Sequence, residues 1–191
     1  MADNIGVRPS TTTGSVNVAT WEDSDGINWP AYLDAAHAKI HQGLSFQATY
    51  ISGEGNNVAD NAAIDVLIQS TAGIHLIQAA ATGGDAEVFL YRNPTFSAAG
   101  TNLTQINKNE YSSNTSAVTI THTPTLSDDG VLMASKFVPG GTGGNSTGGA
   151  DGSFDREIIL NHAHTYLFRV INRAGTAQPI GVTFEWYELT L

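Results

Sequence analysis

The chain has no cysteine. That excludes disulfide stapling, thiolate metal ligation and cysteine nucleophiles. Basic residues are also few: 8 Lys and Arg stand against 18 Asp and Glu, a formal charge of −10 at pH 7 over 191 residues. Phosphate backbones need clustered Lys and Arg. The six basic residues after Lys39 stand singly, so neither nucleic acid nor an anionic membrane is expected as a partner. No apolar run approaches the roughly 20 residues of a bilayer-spanning helix. The opening stretch MADNIGVRPSTTTGSV lacks the basic and apolar regions of a secretory signal. The expectation is a soluble product made in the cytoplasm, with any later location set by assembly. Nor is a tail expected after the last strand, which should tie down the C-terminus.

What is present suits a β-rich core. The chain is 41% hydrophobic and only 14% charged, the reverse of a disordered composition. Thr, Ser, Asn, Gly, Val and Ile are plentiful, as short strands and turns require. From Gly43 onward the hydrophobic period is two. Leu44, Phe46, Ala48 and Tyr50 alternate with polar residues, and Ile64, Val66 and Ile68 with Asp65, Leu67 and Gln69. Ile74 and Leu76, then Val88 and Leu90, then Val118 and Ile120 follow. Val131, Met133 and Phe137 suggest a strand with a bulge. Ile158 with Leu160, then Tyr166, Phe168 and Val170, then Ile180, Val182, Phe184 and Trp186 complete the set. This spacing predicts an all-β domain over residues 41–191, a jelly-roll-like sandwich of about eight strands.

Residues 70–73, 82–85 and 172–175 read as hairpin turns with glycines free to take positive φ. Two connections are long, 93–116 and the glycine-rich 139–153, and loops of such length are commonly functional or mobile. Residues 1–40 lack the alternation and are punctuated by Pro9, Gly14, Gly26 and Pro30. They predict an arm closing in a short helix over residues 29–41, with Pro30 in its first turn.

The candidate chemistry is sparse. His162 and His164 lie two residues apart and His75 sits on an expected strand, a pattern that a cupin-like metal site could use. No acidic ligand stands at a recognisable spacing, and Asn161 to Tyr166 also reads as a plain turn. The acidic stretches Asp128–Gly130 and 151–155 match no calcium loop and read as turn chemistry. The glycine-rich loop lacks a GK[ST] element, and no G-x-S-x-G elbow occurs. No cofactor, metal or catalytic residue is assigned. Trp21, Trp29 and Tyr32 of the arm, with Phe96, Leu103 and Tyr111 of the 93–116 connection, are the candidate partner-binding residues. Exposed aromatics would also suit stacking on sugar rings, so a carbohydrate- or receptor-binding module is the alternative.

Several stretches resemble a family of tailed-bacteriophage head proteins. They are His41-Gln42-Gly43-Leu44-Ser45-Phe46, Ile64-Asp65-Val66-Leu67-Ile68 and Gly83-Gly84-Asp85-Ala86-Glu87-Val88-Phe89-Leu90-Tyr91. Gly100-Thr101-Asn102-Leu103-Thr104, Asn107-Lys108-Asn109, His122-Thr123-Pro124-Thr125, Phe137-Val138-Pro139-Gly140-Gly141 and Tyr166-Leu167-Phe168-Arg169-Val170-Ile171-Asn172 continue the series. Order and spacing, rather than any one stretch, carry the likeness, which spans about residues 41–188. The resemblance implies a jelly-roll decoration (cement) protein without enzymatic activity. It would be a homo-oligomer, dimer or trimer, on the outer capsid surface of the virion, clamping neighbouring copies of the major capsid protein.

Overall fold

A computed structural model describes residues 19–22, 28–31, 35–53, 55–140 and 157–188. The chain divides into two compact units, Met1–Ala38 and Lys39–Leu191. In the first, β1 (Ala19–Glu22) and β2 (Asn28–Ala31) form an antiparallel ribbon with Trp21 opposite Trp29 and Thr20 opposite Pro30. The helix expected over 29–41 is therefore shorter: α1 spans Ala35–His41. Asn28–Ala31 pairs instead, because Trp favours a pleated strand and Pro is tolerated where one strand edge is unpaired. The helix stops at Gly43, whose φ of 67° is cheap only without a Cβ. Gly43 N donates to Ile40 O and Leu44 N to Lys39 O, both at 2.9 Å, the double closure that caps a helix end.

The larger unit is a sandwich. Its strands are β3 (Ser45–Ile51), β4 (Ala63–Ser70), β5 (Ile74–Thr82), β6 (Ala86–Arg92), β7 (Thr95–Ala98), β8 (Thr101–Asn102), β9 (Ile106–Asn107), β10 (Val118–His122), β11 (Thr125–Asp128), β12 (Val131–Val138), β13 (Ile158–Leu160), β14 (Tyr166–Asn172) and β15 (Ile180–Glu188). One sheet has the order β12-β6-β14-β4-β10-β8 and the other β13-β5-β15-β3-β9. Without the short strands of the 93–130 insertion, these are the two four-stranded sheets of a jelly roll, each interleaving early and late strands. Every ladder in them is antiparallel.

Successive strands therefore change sheet. β4 and β5 lie in different sheets, as do β5 and β6, and β14 and β15. Residues 70–73, 82–85 and 172–175 are corners between layers, not hairpins. A Gly-rich turn signal fixes a reversal of the chain but not whether the next strand pairs or crosses over. The connection 93–116 is not a bare loop either, since it carries β7, β8 and β9. Most of the glycine-rich connection lies outside the described residues.

The core lies between the sheets. Phe46, Ala48, Ile74, Leu76, Leu160, Ile180, Val182, Phe184 and Trp186 come from one side, and Ile64, Val66, Ile68, Val88, Leu90, Ile120, Tyr166, Phe168 and Val170 from the other. Phe168 meets Phe184 edge-on across the sandwich, with centroids 5.3 Å apart. The alternation holds along all these strands, but on β12 its phase is the other one, with Val138 buried and Ala134 packed against the core. That strand and its bulge, between Leu132 and Ala134, are as expected, but Val131, Met133 and Phe137 are exposed rather than packed in the core.

Candidate interaction surfaces

The outer face of the six-stranded sheet is built on one cross-strand row. Leu132 pairs with Tyr91, Tyr91 with Leu167, Leu167 with Leu67, and Leu67 with Thr121. Leu67 and Leu167 are fully buried although they face away from the core, so this part of the face is covered. The 93–130 insertion is tied down around them. Asn93 N donates to Thr165 O and Thr123 N to Asp65 O, Thr121 Oγ1 donates to Ala99 O, and Arg169 reaches Asp129 at 2.6 Å. Between these anchors β7 and β11 form a ribbon with Phe96 opposite Leu126. Arg169 also binds Asp65 through Nε at 2.6 Å and Nη2 at 3.0 Å, and lies over the Tyr91 ring. Its hydrogen bonds to the two carboxylates raise its pKa above the usual guanidinium value, against the effect of burial.

The uncovered side of the same sheet is its edge. Val131 (57% exposed), Leu132 (51%), Met133 (43%) and Phe137 (55%) project from β12. Phe89 and Tyr91 stack beside them on β6, with centroids 5.9 Å apart.

The outer face of the five-stranded sheet carries exposed Ile51, Ile77, Ile106 and Ile159. Between them, Lys108 Nζ lies 2.6 Å from Glu185 and Thr49 bonds Thr183. His75 belongs to this face. Its Nδ1 lies 2.6 Å from Glu157 Oε1 and 2.8 Å from the Tyr187 hydroxyl, with the two rings stacked at 4.5 Å.

Two recesses open elsewhere. One, of about 250 Å³, is lined by Gln69, Ser70, Thr71, Ala117, Thr119 and residues 162–165. It holds His162 and His164 but not His75, so the structure does not assemble the three histidines. Among the described residues no three His, Cys, Asp or Glu side chains converge on a metal position. The turn is shaped by Asn161, whose Oδ1 accepts from Ala163 N and whose backbone N–H donates to the Tyr166 hydroxyl. The other is a cleft of about 450 Å³ bordered by Tyr50, Ser52, Asn56, Asn57, Asp65 and Thr123. Tyr50 is backed there by the His122 ring at 4.6 Å.

The partner-binding candidates separate on this framework. Tyr111 is fully exposed. Phe96 is half-buried in the β7–β11 ribbon. Leu103 is partly buried, packed against the chain's own core. Trp21 and Trp29 are cross-strand partners in the first unit, and Tyr32 lies outside the described residues. The β12 edge was missed. Its signal was an apolar strand ahead of a long glycine-rich connection, which periodicity alone assigns to the core. No protein-family model, curated protein or solved structure matches the chain.

Proposed function

We propose that the chain is a structural virion protein, a homo-oligomer that binds the outer surface of a tailed-bacteriophage capsid and clamps neighbouring major capsid subunits. The observation that carries this reading is the grouping of large apolar side chains on the outside of the sandwich, along β12 and on the isoleucine face. Grouped exposed apolar surface is the mark of a protein-binding site. A net charge of −10 suits a protein that must coat a DNA-filled shell without binding the DNA. Many copies at repeated sites bind by avidity, so each contact can be modest. No catalysis is assigned. The test is co-sedimentation of purified protein with heads: binding to DNA-filled, expanded heads and not to unexpanded shells supports the reading, and binding to neither removes it.

The cleft beside Tyr50 favours a second reading, carbohydrate binding. An aromatic ring flanked by Asn56, Asn57, Ser52 and Thr123 supplies the stacking face and neutral hydrogen-bonding groups a sugar needs. Reproducible glycan-array hits that Tyr50→Ala abolishes would favour it over the shell-binding role.

A further inference from the structure

The sandwich has four sheet edges, and three are blunted by length. β8 and β9 have two residues each and β13 three. β12 has eight and, among the described residues, pairs along β6 only. An edge of that length leaves alternate backbone N–H and C=O groups pointing away from the sheet. Soluble proteins usually guard such edges with charge, proline or bulges. β12 has one bulge, one lysine and no proline, and its Val131, Leu132, Met133 and Phe137 are exposed. We infer that β12 is a self-pairing edge: two copies of the chain join by antiparallel pairing of β12 with β12, merging their six-stranded sheets across a two-fold axis.

The required occupant is an extended segment with apolar side chains and no carboxylate to place beside Phe89, Tyr91 and Phe137. The sequence VLMASKFV meets that description itself. Antiparallel pairing of a strand with its own copy is isologous, so each contact is made twice and the interface closes at two subunits. Charge selects the same site. Two chains of net charge −10 repel over most of their surface, but Lys136 is the only charged residue of β12, and Glu87, in register with Phe137 on β6, is paired with Arg173, so copies approach along this edge without a carboxylate on either joining strand. Stacked Phe89 and Tyr91, in register with Ser135 and Leu132, extend the apolar contact onto the sheet beyond the edge. The inference specifies how copies join and does not rest on which shell they decorate.

Sedimentation equilibrium of the full chain from about 1 to 100 µM, with hydrogen exchange of β12 at both ends of that range, tests it. The expected result is a dimer whose β12 amides lose protection on dilution. Phe137→Glu and Leu132→Lys, both at exposed positions, should each weaken the dimer at least about ten-fold with an unchanged circular dichroism spectrum. If a variant misfolds, the dilution-dependent exchange of the natural chain still decides. A monomer throughout, a three-fold ring, or a dimer indifferent to both variants with unprotected β12 amides would overturn self-pairing. So would protection of β12 on heads alone, which would assign the edge to a capsid strand. A monomer that binds heads would remove this inference and leave the shell-binding reading standing. A β12 dimer that binds no heads would do the opposite.

Discussion

Asn172 uses its whole hydrogen-bonding capacity in a fully buried position. Its Nδ2 donates to Val58 O and Thr176 O, both at 2.8 Å, and its Oδ1 accepts from Ala174 N at 2.9 Å and Gln178 Nε2 at 2.7 Å. One side chain thereby locks the β14–β15 corner to the segment between β3 and β4. Asn172→Ala strands several buried backbone groups, each costing about 1–3 kcal/mol; a total loss of about 3 kcal/mol is expected in urea unfolding. Asn172→Asp turns a carboxylate toward two carbonyl oxygens and should be at least as destabilising at pH 7. That loss should lessen as pH falls toward about 4, because a buried carboxyl facing carbonyl oxygens takes up its proton above the ordinary carboxylate value. Loss of less than about 1 kcal/mol in both variants would show that the corner holds without this residue.

Tyr91 gives a pH signature. Burial, and then the Asp129 carboxylate, push its phenol above its ordinary value of about 10, against a weaker opposing pull from Arg169. A raised folded pKa stabilises fully below the unfolded value and is lost as pH climbs through the folded one. Stability should therefore fall as pH rises above about 10, and the fall should be shallower in Tyr91→Phe. Absorbance titration at about 295 nm should show a late-ionising tyrosine that this substitution removes. An identical titration in the variant would refute the assignment.

At the scale of elements, the 93–130 insertion depends on how closely its turns approach the sheet. Gly100 has φ of 93°, and a Cβ there would lie 2.1 Å from His122 O. Gly175 has φ of 73°, with open space around the same position. Gly175→Ala should lose only the roughly 1 kcal/mol of a left-handed residue. Gly100→Ala adds a collision with backbone, beside the Thr121 hydroxyl bond to Ala99, and should lose about 2 kcal/mol or more. It should also speed exchange in β7 and β11. Equal losses in the two variants would mean that the turn yields without strain.

The same element shows where sequence reading succeeds and where it stops. Period-two alternation located the inward residues of β3, β4, β6, β14 and β15, because each has one face in the core. It placed Leu67 on a polar face, where an insertion from elsewhere in the chain buries it. It placed Val131, Met133 and Phe137 inside, because an exposed apolar edge and a core strand have the same composition. The corners read as hairpins because a turn sequence reports local φ, whereas sheet membership depends on strands far along the chain. Of the surfaces proposed from sequence, Tyr111 is open, while Leu103 is held by the core through contacts no local pattern reveals.

At the scale of the whole molecule, the division of labour between the units becomes testable. Among the described residues the buried core falls between Phe46 and Trp186, within the unit Lys39–Leu191, so a chain lacking residues 1–34 keeps these core residues and should still unfold cooperatively, with a β-type circular dichroism spectrum that loses only the contribution of the β1–β2 ribbon. The leading segment is a different energetic problem. Ordering about 30 residues costs roughly 1 kcal/mol each, and even full burial of Trp21, Trp29 and Tyr32 would return only about 2–3 kcal/mol apiece. The β1–β2 ribbon supplies some backbone pairing, but two-stranded ribbons are marginal alone. On the shell-binding reading the remainder comes from the capsid, so deletion of 1–34 should abolish co-sedimentation with expanded heads while the folded body persists. Undiminished binding by the shortened chain would move the contact onto the sandwich, with the exposed isoleucine face as the surface to mutate next.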